Sequence, residues 1–380
     1  MTWRGDAALD DEIVGGYFDA GDHVKFGFPM AAMTTILAWG GVTFPEGYEQ
    51  SGNAEWFDKT LRWSTDYFIA AHVGDYELVG QIGDGNLDHA YWGRPEEMTM
   101  ERPAYRITES APGSDLAAET AAALASSAMW FSKRGDSEYA ELCIDHAKRL
   151  FHFADTYRGK YSDSIPNAQD FYNSWGGYAD ELVWAAAWLA KATGDQSYIE
   201  KAENLYSEGI SDQDPIEISW DDKAPGAFLL LFELTGKDEY RNKVEKLLDF
   251  WMSLPRTPKG LIYTQNSAWG SCRYAANFAH YGVQAAQLGI QEDVMVAFAK
   301  SQIDYILGDG GRSYVVGWGD NPPTHCHPRA ASCPDLPAVC DWAAINSPDP
   351  NPQVLRGAMV GGPNQNDEFV DDRYQYQVQR

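Results

Sequence analysis

The chain has 380 residues, 44% of them hydrophobic, enough to bury a large core, and a formal charge of −27 from 56 acidic and 29 basic side chains. A field of that sign repels phosphate backbones and anionic lipid, which disfavours nucleic-acid and membrane-surface roles, whereas a neutral polymer meets no such barrier. No apolar run is long enough to span a bilayer, and no leader is visible at Met1, which leaves a cytosolic protein or one whose leader has been removed. The 14 Trp and 21 Tyr suit either an aromatic core or a cleft in which sugar rings stack. Cys143, Cys272, Cys326, Cys333 and Cys340 match no zinc spacing. Cys333 and Cys340 close a short Pro-rich loop and read equally as a bridge or as free thiols.

Taken in chain order, the first signal is Gly15-Gly16-Tyr17-Phe18-Asp19-Ala20-Gly21-Asp22-His23-Val24-Lys25-Phe26-Gly27-Phe28-Pro29-Met30. It sets Asp19 and Asp22 in a glycine-rich loop, where two acids can grip one water. A bare Asp-x-x-Asp would read as a solvated turn. Helices are predicted to start near Pro29, Ala54, Asp115, Ser137, Tyr178, Ser197, Asp221, Asp238, Cys272 and Glu292, about ten in all, with few strand signals. Gly135-Asp136-Ser137-Glu138-Tyr139 recurs as Gly194-Asp195-Gln196-Ser197-Tyr198 and as Gly236-Lys237-Asp238-Glu239-Tyr240. Each copy ends one apolar helix and caps the next, the pattern of stacked helical hairpins.

Aromatic loops interrupt the helices: Asp88-His89-Ala90-Tyr91-Trp92-Gly93, Phe171-Tyr172-Asn173-Ser174-Trp175 and Ser267-Ala268-Trp269-Gly270. From Gly308 to Arg380 the helical pattern stops. The stretch is rich in Pro, Gly, aromatics and His, and it reads as ordered loops covering a site. It holds Ser313-Tyr314-Val315-Val316-Gly317-Trp318-Gly319-Asp320-Asn321 and His325-Cys326-His327-Pro328-Arg329. The His-x-His pair has no third ligand at zinc spacing. No linker is visible, so one domain is expected.

The Gly15–Met30 string resembles the catalytic-base loop of glycoside hydrolase family 9, the inverting cellulases, and the likeness runs from about Thr2 to Arg373. The resemblance implies an all-α fold, an (α/α)6 barrel with long cleft-forming loops, here incomplete at about ten of twelve helices. It implies a single catalytic domain over 1–380, truncated at both ends, and a secreted, extracellular monomer acting on β-1,4-glucan. The activity implied is that of an endo-1,4-β-glucanase. Inverting hydrolysis sets a base and an acid roughly 6.5–9.5 Å apart, with water between the base and the sugar. By resemblance Asp22 is that base and Asp19 helps hold the water. His327 and Arg329 would bind glucose hydroxyls, and His89, Trp92, Tyr172, Trp175 and Trp269 would line glucose subsites. Cys326 and Pro328 depart from the family's usual residues. Gly176-Gly177-Tyr178-Ala179-Asp180-Glu181 resembles the family's calcium loop, with carboxylates from Asp180, Glu181 and Asp221 and carbonyls from Gly176 and Gly177. Acids opening a helix also answer its dipole without any ion.

The family's proton donor is a glutamate in a C-terminal pattern. Phe369, Asp371 and Tyr376 match that pattern, and Arg380 stands in the glutamate slot. Arginine cannot deliver a proton near neutral pH. The alternative readings are therefore a truncated product or a homologue that grips glucan without cutting it. A purely structural helical toroid would leave the polar loops unexplained.

Overall fold

A computed structural model describes residues 2–379, so Met1 and Arg380, on which the leader and proton-donor readings fall, lie outside the described residues. Ten long helices are found among the described residues: α1 (Gly27–Thr43), α2 (Ala54–Ala71), α3 (Ser114–Lys133), α4 (Ser137–Thr156), α5 (Ala179–Thr193), α6 (Gln196–Gly209), α7 (Ala224–Thr235), α8 (Asp238–Ser253), α9 (Ser271–Gln287) and α10 (Glu292–Asp304). They alternate in burial. The odd-numbered helices are buried on most sides, as in Leu182–Ala190 of α5, and the even-numbered ones bury a single stripe, as Ala202, Leu205 and Tyr206 do in α6. A helix that is apolar all round must sit inside, and one with a single apolar face must cover it. The architecture is that of an (α/α)6 barrel, odd helices inside and even helices outside. Trp39 of α1 meets Trp184 and Trp188 of α5 and Tyr281 of α9 edge-on, closing the core between inner helices.

The repeat works as its residues imply. Gly135, Gly194 and Gly236 take φ of 88°, 69° and 67°, the left-handed turn that suits glycine after a helix. Asp136 and Asp195 then accept the backbone N–H of Tyr139 and Ser197, capping α4 and α6. In the third copy Lys237 holds the cap position and makes no side-chain cap bond.

One feature departs from the sequence reading. Strands β1 (Lys25–Phe26), β2 (Glu77–Ile82) and β3 (Ala104–Thr108) form an antiparallel sheet in the order β1-β2-β3. These strands are short and their pairing is remote in sequence, which leaves no local periodicity to detect. The sheet matters because β1 follows the Asp19–Asp22 loop directly, and Lys25 pairs with Ile82. The start predicted at Asp221 also moves, to Ala224, because Trp220–Lys223 turns toward the site.

Candidate active site

The loop before β1 is closed by its own backbone. Asp19 N donates to Val24 O and Asp22 N to Asp19 O, both at 2.9 Å, with Ala20 at φ 34°. A non-glycine residue in that region stores strain, which persists only where surrounding contacts enforce it. Asp22 is 5% exposed and accepts Val24 N–H at 2.9 Å. Burial, then the nearby Asp19 and Asp88 carboxylates, push its pKa well above the ordinary range. Asp19 accepts the Tyr172 hydroxyl at 2.7 and 2.8 Å.

Asp88, which the sequence reading quoted without a role, ties this loop to two other segments. Its Oδ1 accepts His23 N–H at 3.1 Å and its Oδ2 pairs with Arg329 Nη1 at 2.6 Å. It lies on the short helix Gly85–His89, capped by Asp84, where a loop was expected. His89 Nε2 stands 3.9 Å from Asp22 Oδ2. Asp22, Asp88 and His89 offer ligand atoms within 4.8 Å of one another, the one such group among the described residues that could hold a metal ion. Arg329 already answers the charge of Asp88. Arg329 N donates to Gly21 O at 3.2 Å, and a Cβ on Gly21 would stand 2.9 Å from His327 Cδ2. The base loop and the His-x-Arg segment thus touch where only glycine fits.

His327 is also held from behind. Its Nδ1 lies 2.7 Å from the Arg373 carbonyl, so Nδ1 carries the proton. Arg373, fully buried, bonds the carbonyls of Ser347 and Asp349 and the Asn351 side chain, clamping the surrounding loops. Asp371 takes Thr324 N–H at 2.8 Å and His325 N–H at 3.1 Å. The segment beyond Gly308 is therefore ordered by buried polar contacts, and His325 and His327 face different partners.

Two cavities meet at the base loop. One, of about 430 Å³, is lined by Asp19, Tyr172, Trp220, Trp269 and Arg273. The other, of about 520 Å³, is lined by Asp22, Trp3, Trp63 and Arg329. Trp175 and Trp269 are 77% and 52% exposed, in keeping with ring platforms. Trp220 was missed by the sequence reading. It meets Tyr172 edge-on at 5.0 Å, and its signal was a tryptophan just ahead of the predicted Asp221 helix start. Trp92 departs from expectation. It is 3% exposed, packed on His327 and Trp342 with Nε1 bonded to Ser332 Oγ at 3.0 Å, because the later loops fold over it. It supports His327 and offers no open face to a sugar.

The segment expected to bind calcium is shared with a lysine. Asp180 Oδ2 accepts Lys223 N–H at 2.6 Å, Asp221 accepts the Trp175 and Gly176 N–H groups at 3.1 Å, and Gly177 O accepts the Ser174 hydroxyl at 2.9 Å. Lys223 Nζ lies 3.4 Å from both Glu119 and Glu181. The three expected carboxylates thus face separate donors and do not form a convergent set. One ammonium still leaves a surplus of negative charge. Burial, then Asp180, raises Glu181 well above its usual pKa, and burial lifts Asp221 to about 7. Glu181 Oε2 has no hydrogen-bond partner among the described residues.

Cys333 and Cys340 are bridged, and Cys143, Cys272 and Cys326 are buried thiols. No described helix is long and apolar enough to cross a membrane.

The sequence profile of glycosyl hydrolase family 9 matches residues 1–379. Endoglucanase B of Cellulomonas fimi is 44% identical over 99% of this chain and 37% of its own length. The match to Endoglucanase A of Bacillus pumilus, 42% identical, covers 99% of this chain and 59% of that protein, so the chain spans only part of these curated relatives. Among solved structures, the endoglucanase of the termite Nasutitermes takasagoensis superposes with a TM-score of 0.96 and 52% identity, covering 100% of this chain and 88% of that one. The cellulase Cel9M of C. cellulolyticum, solved with cellobiose, superposes at 0.90 with 36% identity and the same coverage.

Proposed function

Because the chain belongs to glycosyl hydrolase family 9, we propose that it is an endo-1,4-β-glucanase, cutting internal β-1,4-glucosidic bonds with inversion. The observation that carries this is Asp22: a buried carboxylate of raised proton affinity, 3.9 Å from His89, at the wall of the cavity lined by Trp3, Trp63 and Arg329. Such a group takes a proton from water readily while the water oxygen attacks the anomeric carbon. Asp19, held by Tyr172, helps position that water. His89, His327 and Arg329 hold the sugar at the scissile bond. Tyr172, Trp175 and Trp269 carry neighbouring glucosyl units, and Trp92 acts behind His327. The leaving oxygen needs a proton, and because Arg380, in the donor's slot, cannot supply it, solvent water must do so in this chain.

The test is hydrolysis of a neutral β-1,4-glucan, with the anomer of the product followed by NMR and cellohexaose binding measured alongside. Release of the α-anomer is expected. Asp22→Asn should lower the rate by about 10²–10⁴-fold while leaving binding largely intact. Binding with no hydrolysis by the unaltered chain would favour the glucan-binding homologue. No binding at all would sink both readings.

Calcium belongs to the same reading. The unpartnered Glu181 Oε2 and the surplus charge support a cation beside Glu181, which Asp180, Asp221 and the Gly177 carbonyl would join only by exchanging their present donors, together with the Gly176 carbonyl. Bound there, it would supply structural charge balance beneath the Trp175 loop. Dialysis against a calcium chelator should lower Tm by roughly 2 °C or more, and calcium should restore it. An unchanged Tm would assign the role to Lys223 alone. Secretion, supported by the disulfide, and a monomeric state complete the proposal.

A further inference from the structure

Trp342 follows the disulfide-closed loop Cys333–Cys340 and is 48% exposed, yet no step outlined above uses it. An isolated exposed tryptophan needs no explanation. This one is held in place. Its Nε1 donates to Ala90 O at 3.2 Å, and its ring lies against Trp92 with centroids 5.4 Å apart and planes at 42°. Both contacts lead into the site. Ala90 follows His89, which faces Asp22, and Trp92 meets His327 edge-on at 5.4 Å. The loop leading to Trp342 is braced in turn, because the buried Arg94 donates to the carbonyls of Pro334 and of Ala338, the latter at 2.8 Å.

We propose that Trp342 is an outer stacking platform for a glucosyl unit of the β-glucan chain, beyond the units at the catalytic carboxylates. The proposal rests on the glucanase reading. A pyranose ring presents C–H groups on its face, and an indole meets them with a flat, apolar, electron-rich surface. Because the indole is already anchored at its nitrogen and braced from beneath by Trp92, little side-chain freedom is lost when a sugar docks. Through Ala90 and Trp92 it sits beside the His89 and His327 segments.

Chain-length dependence tests this. Calorimetric titration with cellotriose through cellohexaose should show affinity rising with length for the unaltered protein. Trp342→Ala should bind the shortest oligomer normally and the longest about 3–10-fold more weakly, with Trp342→Phe between them. Equal weakening at every length would make Trp342 a prop for Trp92 and overturn the proposal, as would no weakening at all. Thermal unfolding checks that each variant is folded, and Trp342→Phe carries the comparison if the alanine variant is not. If the unaltered protein bound no cello-oligosaccharide, the glucanase reading would fail first. Normal length dependence in Trp342→Ala would defeat the platform alone.

Discussion

A carboxylate that must accept a proton from water gains from a proton affinity nearer the working pH, and Asp22, the proposed base, acquires it by burial and by the charges of Asp19 and Asp88. The base works only when ionised. Activity is therefore expected to fall as pH drops through a midpoint above the ~3.9 of a free aspartate. Removing a neighbouring like charge makes Asp22 easier to ionise, so Asp19→Asn should move the acidic limb of kcat/KM to lower pH while lowering its plateau. An unmoved limb would show that Asp19 contributes nothing to the charge environment of Asp22. At this scale the sequence named most of the parts. Asp22, Asp19, His327 and Arg329 do come together, through Gly21 O to Arg329 N and through Asp88. It did not reveal that Asp88 joins them, because an aspartate before a histidine in a short turn looks like any helix-opening acid. Nor did it reveal that Trp92 is covered, since burial is set by loops far along the chain.

Between elements, one contact that limits stability in acid joins the end of α2 to α4. His72 Nδ1 lies 2.9 Å from His146 Nδ1, so one ring must donate and the other accept, and the accepting ring cannot be doubly protonated without breaking the pair. Burial, then the neighbouring His146 and Arg149, lower the pKa of His72 to about 4, with Asp75 and Asp145 opposing. The unfolded chain then binds more protons than the folded one between the ordinary histidine value of 6.5 and about 4. Stability contributed here is present above that window and is lost as pH falls through it. Buried carboxylates of raised pKa, such as Asp221, have the opposite slope, so the difference between proteins is the informative quantity. His72→Gln should flatten the loss of Tm on acidification relative to the unaltered protein, and parallel curves would remove the pair from the account. The helices themselves were legible to within a few residues, because their 3.6-residue apolar pattern and Gly-Asp junctions are local. The sheet was not, because its three strands are short and pair across long separations in the chain.

Over the whole molecule, the formal charge of −27 sets which glucans approach easily. Carboxymethylcellulose is anionic and a cello-oligosaccharide is neutral. Raising the ionic strength from low to physiological should therefore lower KM for carboxymethylcellulose and leave that for the neutral substrate unchanged. Equal salt responses would mean that the cleft is screened from the field of the rest of the protein. The same excess of acid is concentrated beneath the Trp175 loop, where Lys223 balances only part of it.

By itself the sequence determined the helices, the glycine junctions between them, and the pairing of Asp19 and Asp22 in one loop. Each of these is written in residues close together along the chain. Only the tertiary structure decided how that chemistry is held. Arg329 reaches Asp88 across 241 positions, the carbonyl of Arg373 sets the His327 tautomer across 46, and Lys223 enters a pocket of acids from two inner helices, α3 and α5. A buried charge is tolerable only beside its partner, and which partner lies near is settled when distant segments pack, not by their order in the chain.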